Sequence, residues 1–439
     1  MFIVACRPTH RGQPRQRQVV GAFALAALFL AGMLQAVRAQ ETLSLQQALR
    51  LAQDRSRQLV AYTSAASGAR EMAVAAGQLP DPTLKAGINN LPVNGADQFS
   101  LTRDFMTMRS IGVMQEFTRE EKRKARATRF EREADAAVAG RMLTLANLQR
   151  DTAIAWLDRY YQERMREVLL SQRDEAKLQI DAADAAYRGG RGTQADVFAA
   201  RSAVAQIEDR IAQTERQIAT ATTQLGRWVG EAAGQTLAGA PLTDSVRLDS
   251  ADLQTQLEHH PQIAVMARQE EMARADADIA RTNKRADWSV ELMYSQRGPS
   301  YSNMISLNVS IPLQWDQKNR QDRELAAKLA MSEQMRAQRE EAAREHVAEV
   351  RAMLQEWQSN RERVTRYDGS LIPLAVERTR AAIAGYRGGM GTLTSVLEAR
   401  RNEIDIRMER LRLEMDTARL WAQLTYLIPA DHDPAASRP

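Results

Sequence analysis

Apolar residues recur three or four positions apart along most of this chain, and strict alternation is confined to a few short stretches. From Glu41 to about Gln78, Leu45, Leu49, Ala52, Ala65, Ala69, Met72 and Ala76 keep the helical spacing. Leu79-Pro80-Asp81-Pro82 ends that pattern, because proline cannot continue a helix and biases its predecessor to extended backbone. Leu84, Ala86 and Ile88 then alternate weakly, a loop rich in Asn, Gly and Asp follows, and a second extended stretch is expected over about Phe99 to Phe117, interrupted near Arg103-Asp104. From near Arg119 no proline or glycine pair occurs until Gly189, which predicts one helix of about 100 Å at 1.5 Å per residue. Ile154, Leu157, Tyr161, Met165 and Val168 form its seam. A second helix, about Gln194 to Trp228, returns with Ile207, Ile211, Ile218 and Leu225, spaced as in coiled-coil packing.

The plan then repeats. Asp252 to Arg285 reads as a helix broken early at His260-Pro261, with His259-His260 marking a helix start rather than a ligand pair. Trp288, Val290, Leu292 and Tyr294 alternate with Ser289, Glu291, Met293 and Ser295. After Arg297-Gly298-Pro299-Ser300, Ile305, Leu307, Val309 and Ile311 alternate with Met304, Ser306, Asn308 and Ser310. This is the clearest strand signal in the chain. Another long helix is expected over about Gln317 to Gly385, and a return helix carries Ile404, Met408, Leu411, Met415 and Ala418.

Each pair of long helices is joined by a glycine-broken turn, and the two turns are copies. Tyr187 to Arg201 and Tyr386 to Arg400 are offset by 199 residues and agree at nine of fifteen positions. The shared residues are Tyr187, Arg188, Gly189, Gly190, Gly192, Thr193, Val197, Ala200 and Arg201 with Tyr386, Arg387, Gly388, Gly389, Gly391, Thr392, Val396, Ala399 and Arg400. Three glycines in four positions forfeit about 1 kcal/mol each inside a helix, so each motif reads as the tip of a helical hairpin. The expected organisation is a first repeat over 40–229, with strands at about 83–117 and a hairpin at about 119–228, then a linker over 230–248. A second repeat over 249–429 has strands at about 287–315 and a hairpin at about 317–427; a polar tail, 430–439, follows.

The first 39 residues change the charge argument. They hold five arginines and no acid, an apolar run from Val19 to Leu34, and Val37-Arg38-Ala39. That is the pattern of a secretory signal peptide cleaved after Ala39; the alternative is an uncleaved anchor. Removing five of the 60 basic residues leaves 55 against 55 acidic ones, so the mature chain is formally neutral and its composition points to no nucleic acid. The only cysteine, Cys6, leaves with the leader, so no disulfide or thiol ligand remains. No later apolar run approaches the roughly 20 residues of a spanning helix.

Strands of about ten residues with one apolar face fit a bilayer-crossing barrel, or equally an amphipathic sheet in a soluble domain. The leader and the paired long helices favour the barrel. Four strands cannot close one, since about eight are needed and an open edge is not tolerated in lipid, so several chains must share it.

With these residues in view, the chain resembles the TolC family of outer-membrane efflux channels over essentially all of its mature length. The two tips with their Val-x-x-Ala-Arg runs, the paired strands and the duplication carry the likeness. So do the junctions Gln115-Glu116-Phe117-Thr118-Arg119 with Lys122-Arg123, and Ile311-Pro312-Leu313-Gln314-Trp315-Asp316. The resemblance implies a mainly α fold with a membrane β-barrel. Its trimer would place four strands per chain in a 12-stranded barrel above an α-helical periplasmic tunnel, served by a periplasmic adaptor and an inner-membrane pump. It also implies a periplasmic gate at the tips, with Tyr386 matching the family tyrosine and Glu398 an acid. Ser395 and Gly391 depart from an aspartate and an arginine found in relatives. Asp196 occupies the Ser395-equivalent place on the first hairpin, beside Tyr187. In a trimer Asp196 and Glu398 would form carboxylate rings that attract cations; otherwise they are solvated helix charges. Arg188, Gly189, Gly190, Gly192, Thr193, Arg387, Gly388, Gly389, Gly391 and Thr392 are expected to shape the tips and meet the adaptor, not to cradle a phosphate, since no Lys-Ser/Thr follows.

The stretch Leu101 to Met108 is similar to the branch of the family that serves heavy-metal cation pumps. The mature chain keeps 16 methionines, whose thioethers favour soft ions, although Met165, Met408 and Met415 sit at seam positions where methionine fills cores. Metal cargo is therefore placed ahead of drugs or other organic solutes, with no resident metal or cofactor. A periplasmic coiled-coil adaptor would carry one hairpin beside lipoyl-like β segments, which are not found. No G-x-S-x-G elbow, H-E-x-x-H helix or Cys/His cluster supports a hydrolase, so no enzyme is expected.

Overall fold

The computed structural model describes residues 42–246, 248, 253 and 260–429. The leader with its cleavage site, His259, part of the 230–248 linker region and the 430–439 tail lie wholly or partly outside the described residues. Two short helices open the chain, α1 (Leu45–Arg55) and α2 (Arg57–Ala76). The expected single helix is divided because Ser56 turns extended and its side chain accepts from the Leu59 N–H, capping α2. Strands β1 (Thr83–Asn89) and β2 (Met108–Phe117) follow. The stretch expected to extend from Phe99 is irregular up to β2, because the Asp104 carboxylate accepts from the Met106 and Thr107 N–H groups and folds the backbone into a side-chain turn.

Helix α3 (Glu120–Arg188) runs for 69 residues, about 100 Å, and α4 (Gln194–Val229) returns along it. Its one internal glycine, Gly140, is a contact point: a Cβ there would lie 2.5 Å from the Tyr62 ring of α2. The second half supplies α5 (Pro261–Thr282), β3 (Trp288–Gln296), β4 (Met304–Ser310), α6 (Gln321–Arg366), α7 (Ile372–Arg387) and α8 (Leu393–Thr425). His260 caps α5 by accepting the Gln262 N–H at 3.3 Å, with Pro261 at the first helical position. Its ring lies 4.0 Å from that of His346, and burial together with this neighbour pushes its pKa down to about 3.

The expected unbroken helix from Gln317 to Gly385 is not continuous. A π-turn at Tyr367–Leu371 separates α6 from α7, and the Ile372 N–H reaches back five residues to the Tyr367 carbonyl. Pro373 is the physical reason: it has no N–H to give and its ring clashes with the preceding turn, so the helix widens by a residue. Asp368, in the widened turn, holds Arg410 of α8 through two 2.9 Å bonds.

The core is a seam running along the helices, thickest midway. Trp156 is fully buried and donates to the Leu43 carbonyl, and Leu157, Leu169, Leu225, Val350, Trp357, Met408 and Trp421 belong to the same buried cluster along the seam. The segment at Leu43 pairs with Leu237, tying the start of the chain to the linker. The four strands form one antiparallel sheet in the order β1-β2-β3-β4, so β1 and β4 are its edges. Among the described residues no helix is long and apolar enough to cross a membrane.

Candidate functional site

The two turns fold alike, bond for bond. After α3, the N–H groups of Gly189, Gly190, Arg191 and Gly192 donate to the carbonyls of Ala185, Tyr187, Ala186 and Ala186. After α7, those of Gly388, Gly389, Met390 and Gly391 donate to Ala384, Tyr386, Gly385 and Gly385. Each is a Schellman stop, which needs one residue in the left-handed region, and Gly190 (φ 68°) and Gly389 (φ 74°) occupy it. Gly192 and Gly391 are needed for space: an added Cβ would lie about 3.2 Å from Ala186 and from Tyr386 N respectively. Thr193 and Thr392 then cap the return helices through the N–H groups of Asp196 and Ser395.

The structure brings these two distant motifs into one cluster. Ala183, Val197, Ala200, Leu393 and Val396 are buried together, with Tyr386 and Leu397 packed against them. Tyr386 is half-buried and its hydroxyl is enclosed without a partner among the described residues, whereas Tyr187 is 46% exposed. Glu398 is exposed on α8. Asp196 closes a capping box, accepting from the Thr193 hydroxyl (2.7 Å) and N–H (2.8 Å), and these bonds lower its pKa. Arg188 pairs with Asp184 on its own helix, and Arg387 is exposed.

Between the hairpins, α8 covers α3. Arg400, only 7% exposed, reaches the Glu175 carboxylate and Gln172, with Gln179 and Ala183 continuing the covered stripe. The same stripe 199 residues on is Leu371 at the end of the π-turn, then Leu374 and Arg378 of α7, all exposed, with half-buried Ala382. The covering face of α8 is Leu393, Leu397, Arg400 and Ile404; its counterpart on α4 is Gln194, Phe198, Arg201 and Ala205, all exposed. Each half thus carries the matching surface, but only one of the two seams is closed within the chain.

At the other end, register sorts the strands into two unlike faces. Leu84, Val113, Leu292 and Leu307 form one cross-strand row, and Ala86, Ile111, Tyr294 and Ile305 the next. All of these except Ala86 are large exposed hydrophobics. The opposite face holds Lys85, Ser110, Glu291, Ser295 and Asn308, and Lys85 reaches across β2 to Glu291 at 2.8 Å. Phe117 stacks on Trp288 at 4.4 Å where the sheet meets the helices. An exposed apolar face of this extent marks a membrane or association surface. Among the described residues no group of three His, Cys, Asp or Glu is placed to hold a metal ion.

Sequence reasoning missed the π-turn and the inequality of the two seams. Pro373 inside an otherwise helical pattern was the available signal for the first. The second had none, because equivalent residues are buried or exposed according to what packs on them.

The comparisons agree with this geometry. The profile of the outer membrane efflux protein family matches residues 253–428. Among curated proteins, none matches the chain. Solved structures of outer-membrane proteins share its fold across both halves. The outer-membrane channel OprN superposes with a TM-score of 0.72 at 15% identity, covering 87% of this chain and 89% of its own. The outer membrane protein VceC of Vibrio cholerae gives 0.72 at 18%, over 87% and 95%. CusC, described as folding with transmembrane channel formation, gives 0.72 at 17%, over 88% and 92%. The second half of the chain therefore carries the efflux-protein signature, and the whole has the fold of these channels.

Proposed function

We propose that this chain is the outer-membrane channel of a tripartite efflux system, a passive conduit rather than a catalyst. The sheet carries the reading: one continuous exposed apolar face, a polar face behind it, and two unpaired edges, on a helical body of about 100 Å. Unpaired edges cannot stay open in lipid, so copies of the chain close one barrel, each edge β1 meeting the edge β4 of the next. Three copies give the 12 strands that the resemblance implies.

The uncovered stripes support the same assembly at the tips. The relation that lays α8 on α3 within a chain, applied once more, lays α4 of one copy on α7 of the next, with Arg201 facing the partner's Leu374 as Arg400 faces Glu175. The tips then ring a periplasmic mouth, where Tyr386, Glu398, Tyr187 and Asp196 form the gate. Arg188, Arg387 and the glycine turns meet the adaptor, which delivers cargo from the inner-membrane pump. The duplicated units are 40–229 and 249–429, and export follows cleavage after Ala39. The cargo we assign is metal cations, supported by the methionine content and the Leu101 to Met108 stretch.

Fractionation with crosslinking and heat-modifiability on gels tests this. A heat-sensitive trimer in the outer membrane is expected. A soluble periplasmic monomer would return the strands to an ordinary sheet. Cells lacking the protein should accumulate metal cations; accumulation of organic solutes alone would reassign the cargo.

A further inference from the structure

The polar face of the sheet contains no leucine, isoleucine, valine or aromatic residue, yet it contains methionine four times. Met108 and Met114 of β2, Met293 of β3 and Met304 of β4 all fall on the face of Lys85, Ser110, Glu291 and Ser295. They are all the methionines of the four strands, and the apolar face has none. If bulk or hydrophobicity were wanted there, a branched aliphatic would serve as well. What methionine alone adds is a flexible thioether.

Their placement is ordered. Met114 pairs across with Glu291, Met293 with Gly112 and Ser306, and Met304 with Ser295. Met114, Met293 and Met304 therefore sit on three successive strands, each two residues further from the helices. Diagonal neighbours of this kind lie about 7–8 Å apart at Cα, within reach of two long side chains. Gly112 leaves room beside Met293: a Cβ at position 112 would lie 3.1 Å from the Met293 Cβ. Met108 continues toward the far rim, where β2 begins.

We propose that these four methionines form a thioether path for a soft monovalent cation of the Cu(I) or Ag(I) type along the inner wall. The inference rests on the channel reading and gives its cargo a chemical class. Thioethers prefer such ions over hard ones, and neutral sulfur ligands bind weakly enough to pass an ion from one site to the next. Lys85, the one lysine on the wall, is neutralised by Glu291 and so adds no unpaired positive charge beside the path.

Silver ion is the probe, because it does not cycle redox state. The full chain in outer membranes is treated with peroxide, with and without Ag(I), and methionine sulfoxide is read by mass spectrometry at each position. With silver at about ten times its Kd, oxidation of Met114, Met293 and Met304 should slow about tenfold, since protection scales as one plus the ratio of ligand to Kd. Met390, 89% exposed at the second tip, should oxidise at an unchanged rate. Equal rates at all positions would overturn the path. In cells, replacing all four by leucine should abolish the silver tolerance the channel confers, while Met331→Leu on α6 should not; equal tolerance would also overturn it. A chain that forms no outer-membrane multimer brings down the channel reading together with this one, whereas a multimer without silver protection removes only the path.

Discussion

At the second tip Arg400 is buried against Glu175 and Gln172, Leu397 packs into the shared cluster and Tyr386 is half-buried. At the first tip Arg201, Phe198 and Tyr187 hold the same places 199 residues earlier, and all three are exposed. The glycine turns themselves make the same backbone hydrogen bonds. Backbone geometry is thus set by each motif alone, while burial is set by the neighbour, and a single chain covers this face on only one of the two return helices.

The largest effect separating the tips concerns assembly. In a Cys6→Ser background, Arg201→Cys with Leu374→Cys should convert the protein to disulfide-linked multimers on non-reducing gels. Crosslinks confined to one chain would show that the repeat does not extend between copies. Next, Arg400→Ala should destabilise the solubilised protein by about 2–3 kcal/mol in thermal unfolding, because it strips a buried partner from Gln172 and Glu175. Arg201→Ala should cost clearly less, because Leu374 and Leu371 stand where Glu175 and Gln172 do and offer it no polar partner. Equal losses would erase the contrast.

Smaller effects sharpen the likeness instead. Gly190→Ala and Gly389→Ala should each lose about 1 kcal/mol, and the same amount, since both glycines are left-handed with open space where a Cβ would go. A clear inequality would mean that surroundings reach into the turns. The smallest effect is acidic. Asp196 has a lowered pKa because Thr193 donates to its carboxylate, so its contribution to the first tip is present above the ordinary aspartate value of 3.8 and fades as pH falls through the lowered one. Ser395 cannot titrate. The protection of the Thr193 N–H from hydrogen exchange, relative to the intrinsic rate at each pH, should therefore fall on acidification while that of Thr392 does not; parallel behaviour would remove the distinction.

Much of this fold is legible in pattern. Alternation places β3 and β4 within a residue or two, and the absence of breakers from Arg119 to Arg188 announces the longest helix. The weak places are local competitions that periodicity does not register: Ser56 capping one helix while ending another, Asp104 turning the start of an extended stretch, Pro373 widening a helix without stopping it.

What the amino-acid order determined by itself is whatever depends on neighbours a few residues apart: the glycine stops, the threonine caps, the strand faces and the duplication. Short-range hydrogen bonding and side-chain periodicity suffice for these, so they read the same in both halves. Only the tertiary structure decided which copy of each face is covered. It put the Tyr386 and Tyr187 turns side by side, and gave Arg400 a carboxylate where Arg201 has none among the described residues. Those outcomes depend on packing between segments nearly 200 residues apart, where no local rule reaches.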